Sequence, residues 1–272
     1  GGPVGGLGYD VRIHPSTKNV MFVTDNNAGV IKSSNAGKTW TPSNSGISVR
    51  GGPTGDAFTI FSLTIDPNDP ATVWAGTNGD GGAFGVFKSV DGGAHWTQKN
   101  AGITSGPYGI VFRGFTIEPG NSNAVYAQAE LPTDPVTGHG REFNKVQGRV
   151  YKTTNGGESW TLIWSGDDLA RYLVIDPGNT STLYLSTGIF DREAQNSDCA
   201  NLTLAGGVYT GAGGVGVLKS TDGGASWSAV TTGLTDRYVG SLRMHPTSSS
   251  VLFAATGNNA CSGVYEGHIV SG

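Results

Sequence analysis

Ser89-Val90-Asp91-Gly92-Gly93-Ala94-His95-Trp96 decides the fold, because the chain carries four versions of it. The others are Ser33-Ser34-Asn35-Ala36-Gly37-Lys38-Thr39-Trp40, Thr153-Thr154-Asn155-Gly156-Gly157-Glu158-Ser159-Trp160 and Ser220-Thr221-Asp222-Gly223-Gly224-Ala225-Ser226-Trp227. Their common form is S/T-x-D/N-x-G-x-x-W, and a lysine (Lys32, Lys88, Lys152, Lys219) precedes each. The third residue, Asn35, Asp91, Asn155 or Asp222, recurs at intervals of 56 to 67 residues. A second phrase alternates with the first: Ile13-His14-Pro15, Ile65-Asp66-Pro67, Ile117-Glu118-Pro119, Ile175-Asp176-Pro177 and Met244-His245-Pro246, each leading into a short apolar run. Repetition at this period with strand-like flanks points to a radial β array.

Each unit reads as strand A, a proline turn, strand B, a loop, strand C, an Asp/Asn-Gly turn and strand D. Asp-Gly-Gly supplies positive φ between extended runs, and proline presets a turn while blocking strand continuation. The predicted fold is an all-β propeller of four-stranded antiparallel blades, about five of them in one domain. The blades are expected near residues 1–45, 46–102, 103–165, 166–232 and 233–272. The fifth holds strands A and B and a strand C at Val264-Tyr265-Glu266-Gly267-His268-Ile269-Val270, with no fifth Asp phrase after it. Because a ring left open exposes unpaired backbone groups, the chain is expected to be part of a larger, seven-bladed propeller.

Composition agrees with short strands and tight turns: 45 glycines in 272 residues, 14% charged residues and no sustained helical period. A net charge of −4 gives no basic stripe for nucleic acid, and no apolar run approaches the ~18 residues of a membrane helix. The Ser/Thr/Asn/Gly-rich, Lys/Glu-poor chain is expected outside the cell or at its surface. It begins with Gly and shows no signal-type apolar segment, which suggests a processed chain.

The Asp phrase itself is read as structural. A carboxylate or amide opening a turn accepts backbone N–H groups, and Asn35 and Asn155 keep that oxygen without being acids. The Trp is expected to close the turn by packing back onto its own blade. Function is then expected at the opposite end, where loops of unequal length leave strands B and D. Aligning the repeats on strand B places Asp25, Asn78, Glu130, Gly188 and Gly257 at one equivalent exit. Aligning on the prolines places Tyr9, Phe61, Arg113, Arg171 and Gly240 near the entry of strand A. The long loops add His139, Arg141, Glu142, Asp191, Arg192 and Glu193, and Tyr108, Tyr209 and Tyr238 are candidate binding aromatics. Arg192 between two acids also reads as a solvated ion cluster, and Arg113 and Arg171 also read as structural partners of loop groups.

The repeated phrase resembles the Asp-box, or bacterial neuraminidase repeat, of sialidases, sortilin-type receptors and glycoside hydrolase family 74, with Asn35/Trp40, Asp91/Trp96, Asn155/Trp160 and Asp222/Trp227 as its structural residues. The first sixty residues resemble the opening of family 74, a xyloglucan-hydrolysing family: Gly5-Gly6, Ile13-His14-Pro15, Thr24-Asp25-Asn26-Asn27-Ala28-Gly29 and then Trp40. That resemblance implies a secreted, glycan-active propeller in which Asp25 is the general base, while the family's general acid comes from a second propeller. Inverting hydrolysis needs two carboxyl groups roughly 6.5–9.5 Å apart, so Glu130, Glu142 or Glu193 would have to partner Asp25 within this chain. As an alternative, Asp25 is a strand-end residue capping its own turn. The three arginines, the Tyr–Glu pair and the Arg-Ile-Pro signature of sialidases are not assembled.

Cys199 and Cys261 fall in the same-face loops of neighbouring blades, and a disulfide between them would fit an oxidising compartment; two free thiols are the alternative. No cofactor motif and no metal-ligand spacing are present: His14 and His245 sit at turns, His95 sits inside an Asp phrase, and His139 and His268 stand alone. Asn179 and Asn201 open glycosylation-type triplets. Three classes of function stay open: a glycan-active enzyme, a carbohydrate- or protein-binding propeller without catalysis, and a structural module of a cell-surface or filamentous assembly.

Overall fold

A computed structural model describes residues 8–25, 28–47, 59–77, 85–107, 109–132, 146–166, 169–188, 203–205, 208–210, 215–234, 237, 239–256, 264–265 and 268–269. Among them every regular element is a strand. The first blade is β1 (Gly8–Ile13), β2 (Met21–Asp25), β3 (Gly29–Ser33) and β4 (Thr41–Pro42), and the second is β5 (Ile60–Ile65), β6 (Val73–Thr77), β7 (Val86–Ser89) and β8 (Thr97–Gln98). The third is β9 (Val111–Glu118), β10 (Asn121–Pro132), β11 (Val146–Thr153) and β12 (Thr161–Gly166). In the fourth, β13 (Ala170–Ile175), β14 (Leu183–Thr187), β17 (Val217–Ser220) and β18 (Ser228–Ala229) pair in that order. A hairpin, β15 (Thr203–Ala205) and β16 (Val208–Thr210), is inserted between β14 and β17 where only a loop was expected. A two-stranded sheet follows, β19 (Val239–His245) with β20 (Ser248–Thr256). The segment expected to add strand C to it instead forms β21 (Val264–Tyr265) and β22 (His268–Ile269), which pair with each other.

The Asp-box turns are built alike. The hydroxyls of Ser33, Ser89, Thr153 and Ser220 donate to Oδ1 of Asn35, Asp91, Asn155 and Asp222 at 2.7–3.0 Å. Each hydroxyl also accepts the N–H of Gly37, Gly93, Gly157 or Gly224, and each Oδ1 accepts the N–H of Thr39, His95, Ser159 or Ser226. One oxygen therefore closes every turn, which is why amide and carboxylate interchange there. The prolines' turns are closed from the residue before them: Asp66 Oδ1 accepts the N–H groups of Asn68 and Asp69, Asp176 Oδ1 that of Gly178, and His14 Nδ1 that of Thr17.

Two of the four Trp side chains close their own turn as expected, and the other two bond across the junction instead. Trp96 donates its indole N–H to Ser43 O of the preceding blade at 2.7 Å, and Trp160 donates to Lys99 O at 2.9 Å. Their backbone N–H groups bond Ser45 O and Ala101 O, also across the junction. Trp227 divides its indole N–H between Gly224 O of its own turn and Ile163 O, and Trp40 bonds Gly37 O of its own turn. The lysine before each phrase works across the same junction: Lys32 Nζ donates to Gly92 O and Lys88 Nζ to Gly156 O, while both lie over the strand-B ring of their own blade, Phe22 and Trp74. The core lies between the blades. Phe22, Val30 and Ile47 of the first blade meet Leu63, Val73, Ala75, Phe87 and Trp96 of the second in one cluster.

The chain divides into two compact units, Gly1–Ser105 with Gly109–Ala127 and Tyr151–Thr161, and Gly106–Tyr108 with Gln128–Val150 and Leu162–Gly272. No helix of the described residues is long and apolar enough to cross a membrane.

Candidate functional site

In the first, second and fourth blades and in the two-stranded sheet, strand A carries a β-bulge at the same place. Gly8 pairs with Asp25 and Asp10 with Thr24, which leaves Tyr9 as the extra residue. Phe61 and Gly240 are the extra residues of β5 and β19 by the same reading of register. In β13 the register shifts between Ala170 and Leu173, and Tyr172 N–H bonds Ser186 Oγ at 3.0 Å, so Arg171 is the bulged residue. These are residues that proline alignment grouped; Arg113, aligned with them in the third blade, lies in β9. A bulge turns its side chain out of the pleat and is a common way to aim a residue at a ligand.

In the first compact unit the row makes direct contact. The Tyr9 and Phe61 rings lie 4.6 Å apart at 32°, and the Arg113 guanidinium sits 4.4 Å over the Phe61 ring. All three are half-buried, so one side of an aromatic–aromatic–cation ladder faces outward. In the second unit Arg171 is likewise half-buried, and the neighbouring Tyr172 carries Arg243 over its ring at 4.8 Å.

Below the ladder, Asp10 and Arg12 bracket one residue of the next blade. Asp10 Oδ2 accepts Leu63 N–H at 3.1 Å, Arg12 Nε donates to Leu63 O at 2.7 Å, and the two side chains pair at 2.9 Å. They seal the inner edge of β5. Burial pushes the Asp10 carboxyl above its usual range against the opposing pull of Arg12. Sequence reading passed over this pair; its signal was two opposite charges two residues apart on one strand face.

Asp25 ends β2, buried, with Oδ1 accepting the N–H of Ala28 at 3.1 Å. Strand register corrects its alignment. Phe22, Trp74 and Tyr184 each pair with a phrase lysine, so Asp25 corresponds to Thr77 and Thr187, one residue before Asn78 and Gly188. Pairing with the innermost strands agrees, since Asp25, Thr77, Thr187 and Thr256 face Gly8, Ile60, Ala170 and Val239. Two of those threonines do what Asp25 does: Thr77 Oγ1 accepts Gly85 N–H at 2.7 Å and Thr187 Oγ1 accepts Val215 N–H at 3.0 Å. The position is a clasp that closes the strand B–C loop. Glu130 follows the clasp position in its blade and lies inside β10 rather than in the loop, fully buried; it and Asp25 fall in different compact units.

Asn78, Tyr108, His139, Arg141, Glu142, Asp191, Arg192, Glu193, Cys199, Asn201, Tyr238, Gly257 and Cys261 lie outside the described residues, and of Tyr209 only the backbone, in β16, is described. Asn179 is exposed in the proline turn of the fourth blade.

No family model matches the chain. It is 26% identical over 239 residues to a xyloglucanase of Hypocrea jecorina (strain QM6a), covering 83% of this chain and 26% of that protein. A Paenibacillus xyloglucanase is 22% identical, covering 68% of this chain and 18% of its own length. The chain thus spans about a quarter or less of the curated relatives it matches. Among solved structures, the GH74 xyloglucanase from Xanthomonas campestris superposes with a TM-score of 0.57 at 17% identity, over 91% of this chain and 35% of that one. An ancestral GH74 enzyme gives 0.55 at 19% identity, over 91% and 29%. The chain is therefore a β-propeller chain, similar in sequence to xyloglucanases and in fold to glycoside hydrolase family 74 structures.

Proposed function

We propose that the chain is a polysaccharide-binding propeller module of a secreted, glycan-active protein of the xyloglucanase kind, and that it receives a β-glucan chain on the bulged residues of its first compact unit. The observation that carries this reading is the ladder Tyr9–Phe61–Arg113. The rings are stacked at a tilt, so the ladder turns its ring edges outward, and a pyranose can pack along these while the Tyr9 phenol and the Arg113 guanidinium bond its hydroxyls. Xyloglucan oligosaccharides titrated into the chain are expected to bind, and Phe61→Ala to weaken them by about tenfold or more. Unchanged affinity in Phe61→Ala, or no binding of any β-glucan, would remove this reading and leave the protein-binding and structural classes.

Hydrolysis is the second reading, favoured by the similarity to xyloglucanases and by Asp25 standing directly beside the ladder, paired through its backbone with Gly8. Against it stands the clasp, a duty that threonine performs in other blades. A catalytic Asp25 predicts that Asp25→Asn abolishes xyloglucan cleavage with binding retained; a clasp predicts a loss of stability instead.

A further inference from the structure

The fourth blade presents a socket that no described residue fills, and its occupant can be read from the junctions that are filled. Between the first two blades, Phe22, Val30, Ile47, Leu63, Val73 and Ala75 surround Phe87 and Trp96, which the second blade's strand C and Asp-box deliver. Register places Tyr184, Val217, Leu234, Leu242, Leu252 and Ala254 at those six wall positions. Together with Lys219, Val230 and Thr232 they line a cavity of about 360 Å³. It is a copy of the first junction without the two rings.

Among the described residues the polar side of the socket is vacant too. Gly46 and Gly102 have left-handed φ of 91° and 87° and lie against the backbone carbonyls of Trp96 and Trp160; Gly233 has φ 88° and nothing within 4 Å of a built Cβ. Thr232 O and Val230 O stand where Ser45 O and Ser43 O receive the Trp backbone and indole N–H groups. Lys219 lies over Tyr184 as Lys32 does over Phe22, but among the described residues no carbonyl accepts from its Nζ. Among the described residues the outer edge of β20 has no partner strand, and this strand is largely exposed where β2, β6 and β14 are largely buried.

We propose that this face docks one kind of partner, a β-hairpin with the chain's own repeat, strand–S/T-x-D/N-x-G-x-x-W–strand. Its first strand pairs with β20, its aromatic and its Trp fill the cavity, its Trp N–H groups bond Thr232 O and Val230 O, and its turn carbonyl accepts from Lys219. The interface continues a blade junction already formed in this molecule, and strand addition at an open sheet edge is a general binding mode.

The test appends a copy of the second blade's outer hairpin, residues 85–98, to the full chain through a flexible linker, beside an otherwise identical chain in which the appended Trp is Ala. The intact hairpin is expected to raise the thermal midpoint by about 5 °C or more, to protect one further indole N–H from exchange, and to lose most of that gain when Lys219→Met and Leu242→Ala are introduced. The Trp→Ala hairpin is expected to raise nothing. Equal effects from both hairpins, no effect from either, or a parent chain whose β20 edge is already sealed in a dimer by sedimentation would overturn the proposal.

Discussion

Ala36 is the one residue in the four Asp-box turns that occupies the left-handed region without being glycine: its φ is 58°, where Gly92, Gly156 and Gly223 have 65°, 67° and 70°. A side chain there costs roughly 1–2 kcal/mol, partly offset by the stiffer unfolded chain that alanine gives. Ala36→Gly should therefore stabilise by about 0.5–1 kcal/mol, read as a higher urea midpoint at unchanged slope. The acidic copies make a pH prediction. The His95 N–H, the His95 ring and the Ser89 hydroxyl hold the Asp91 carboxyl far below its ordinary range, and the Ser226 hydroxyl and N–H with the Ser220 hydroxyl do the same for Asp222. A depressed folded value means the unfolded chain binds protons first, so this stability is present above the ordinary value of 3.8 and is lost as pH falls below it. Asn35 and Asn155 show that an amide closes the same turn. Asp91→Asn with Asp222→Asn should be less stable than the parent at pH 7, and the gap should narrow steadily as pH falls below the ordinary value of 3.8 in acid titrations; a gap independent of pH would refute the assignment.

Among elements, the junction between blades decides stability, and two glycines of equal backbone strain isolate it. A Cβ on Gly46 would lie 2.0 Å from Trp96 O, whereas one on Gly233 meets nothing. Gly233→Ala should cost only the left-handed penalty of roughly 1–2 kcal/mol. Gly46→Ala must also push the second blade off its Trp96 bonds, and should cost at least about 2 kcal/mol more; equal urea midpoints for the two variants would mean that the junction contributes nothing. The strands and both turn types were legible because each has a chemical signal: Pro with a capping residue before it, and Asp/Asn with Gly after it. The row Tyr9, Phe61, Arg171 was legible because the proline turns keep the same spacing to each bulge. What misled was a look-alike: Thr24-Asp25 resembles Thr77-Asn78, yet strand pairing equates Asp25 with Thr77. The span of the Trp across blades was hidden because local spacing does not say which sheet a side chain meets.

At the scale of the whole molecule, the same junction logic identifies a second unsealed face. The strand-A position that packs against the preceding blade is Leu63 at 0% exposure, Leu173 at 5% and Leu242 at 1%, but in the first blade it is Val11 at 58%. Ile13, two residues on and on the same side of β1, is 50% exposed. Apolar side chains on an innermost strand beside the exposed edge of a twisted sheet form a patch of the kind that associates or awaits a neighbour. Because these side chains are already in water, replacing them removes little burial: Val11→Thr with Ile13→Thr should change stability by no more than about 0.5 kcal/mol per site. The same double substitution should lower concentration-dependent self-association in sedimentation velocity and leave glycan binding at the Tyr9–Phe61–Arg113 ladder intact, since neither side chain belongs to the ladder. A large loss of stability would show that Val11 and Ile13 are covered in solution, and the first blade would then have a neighbour on that side.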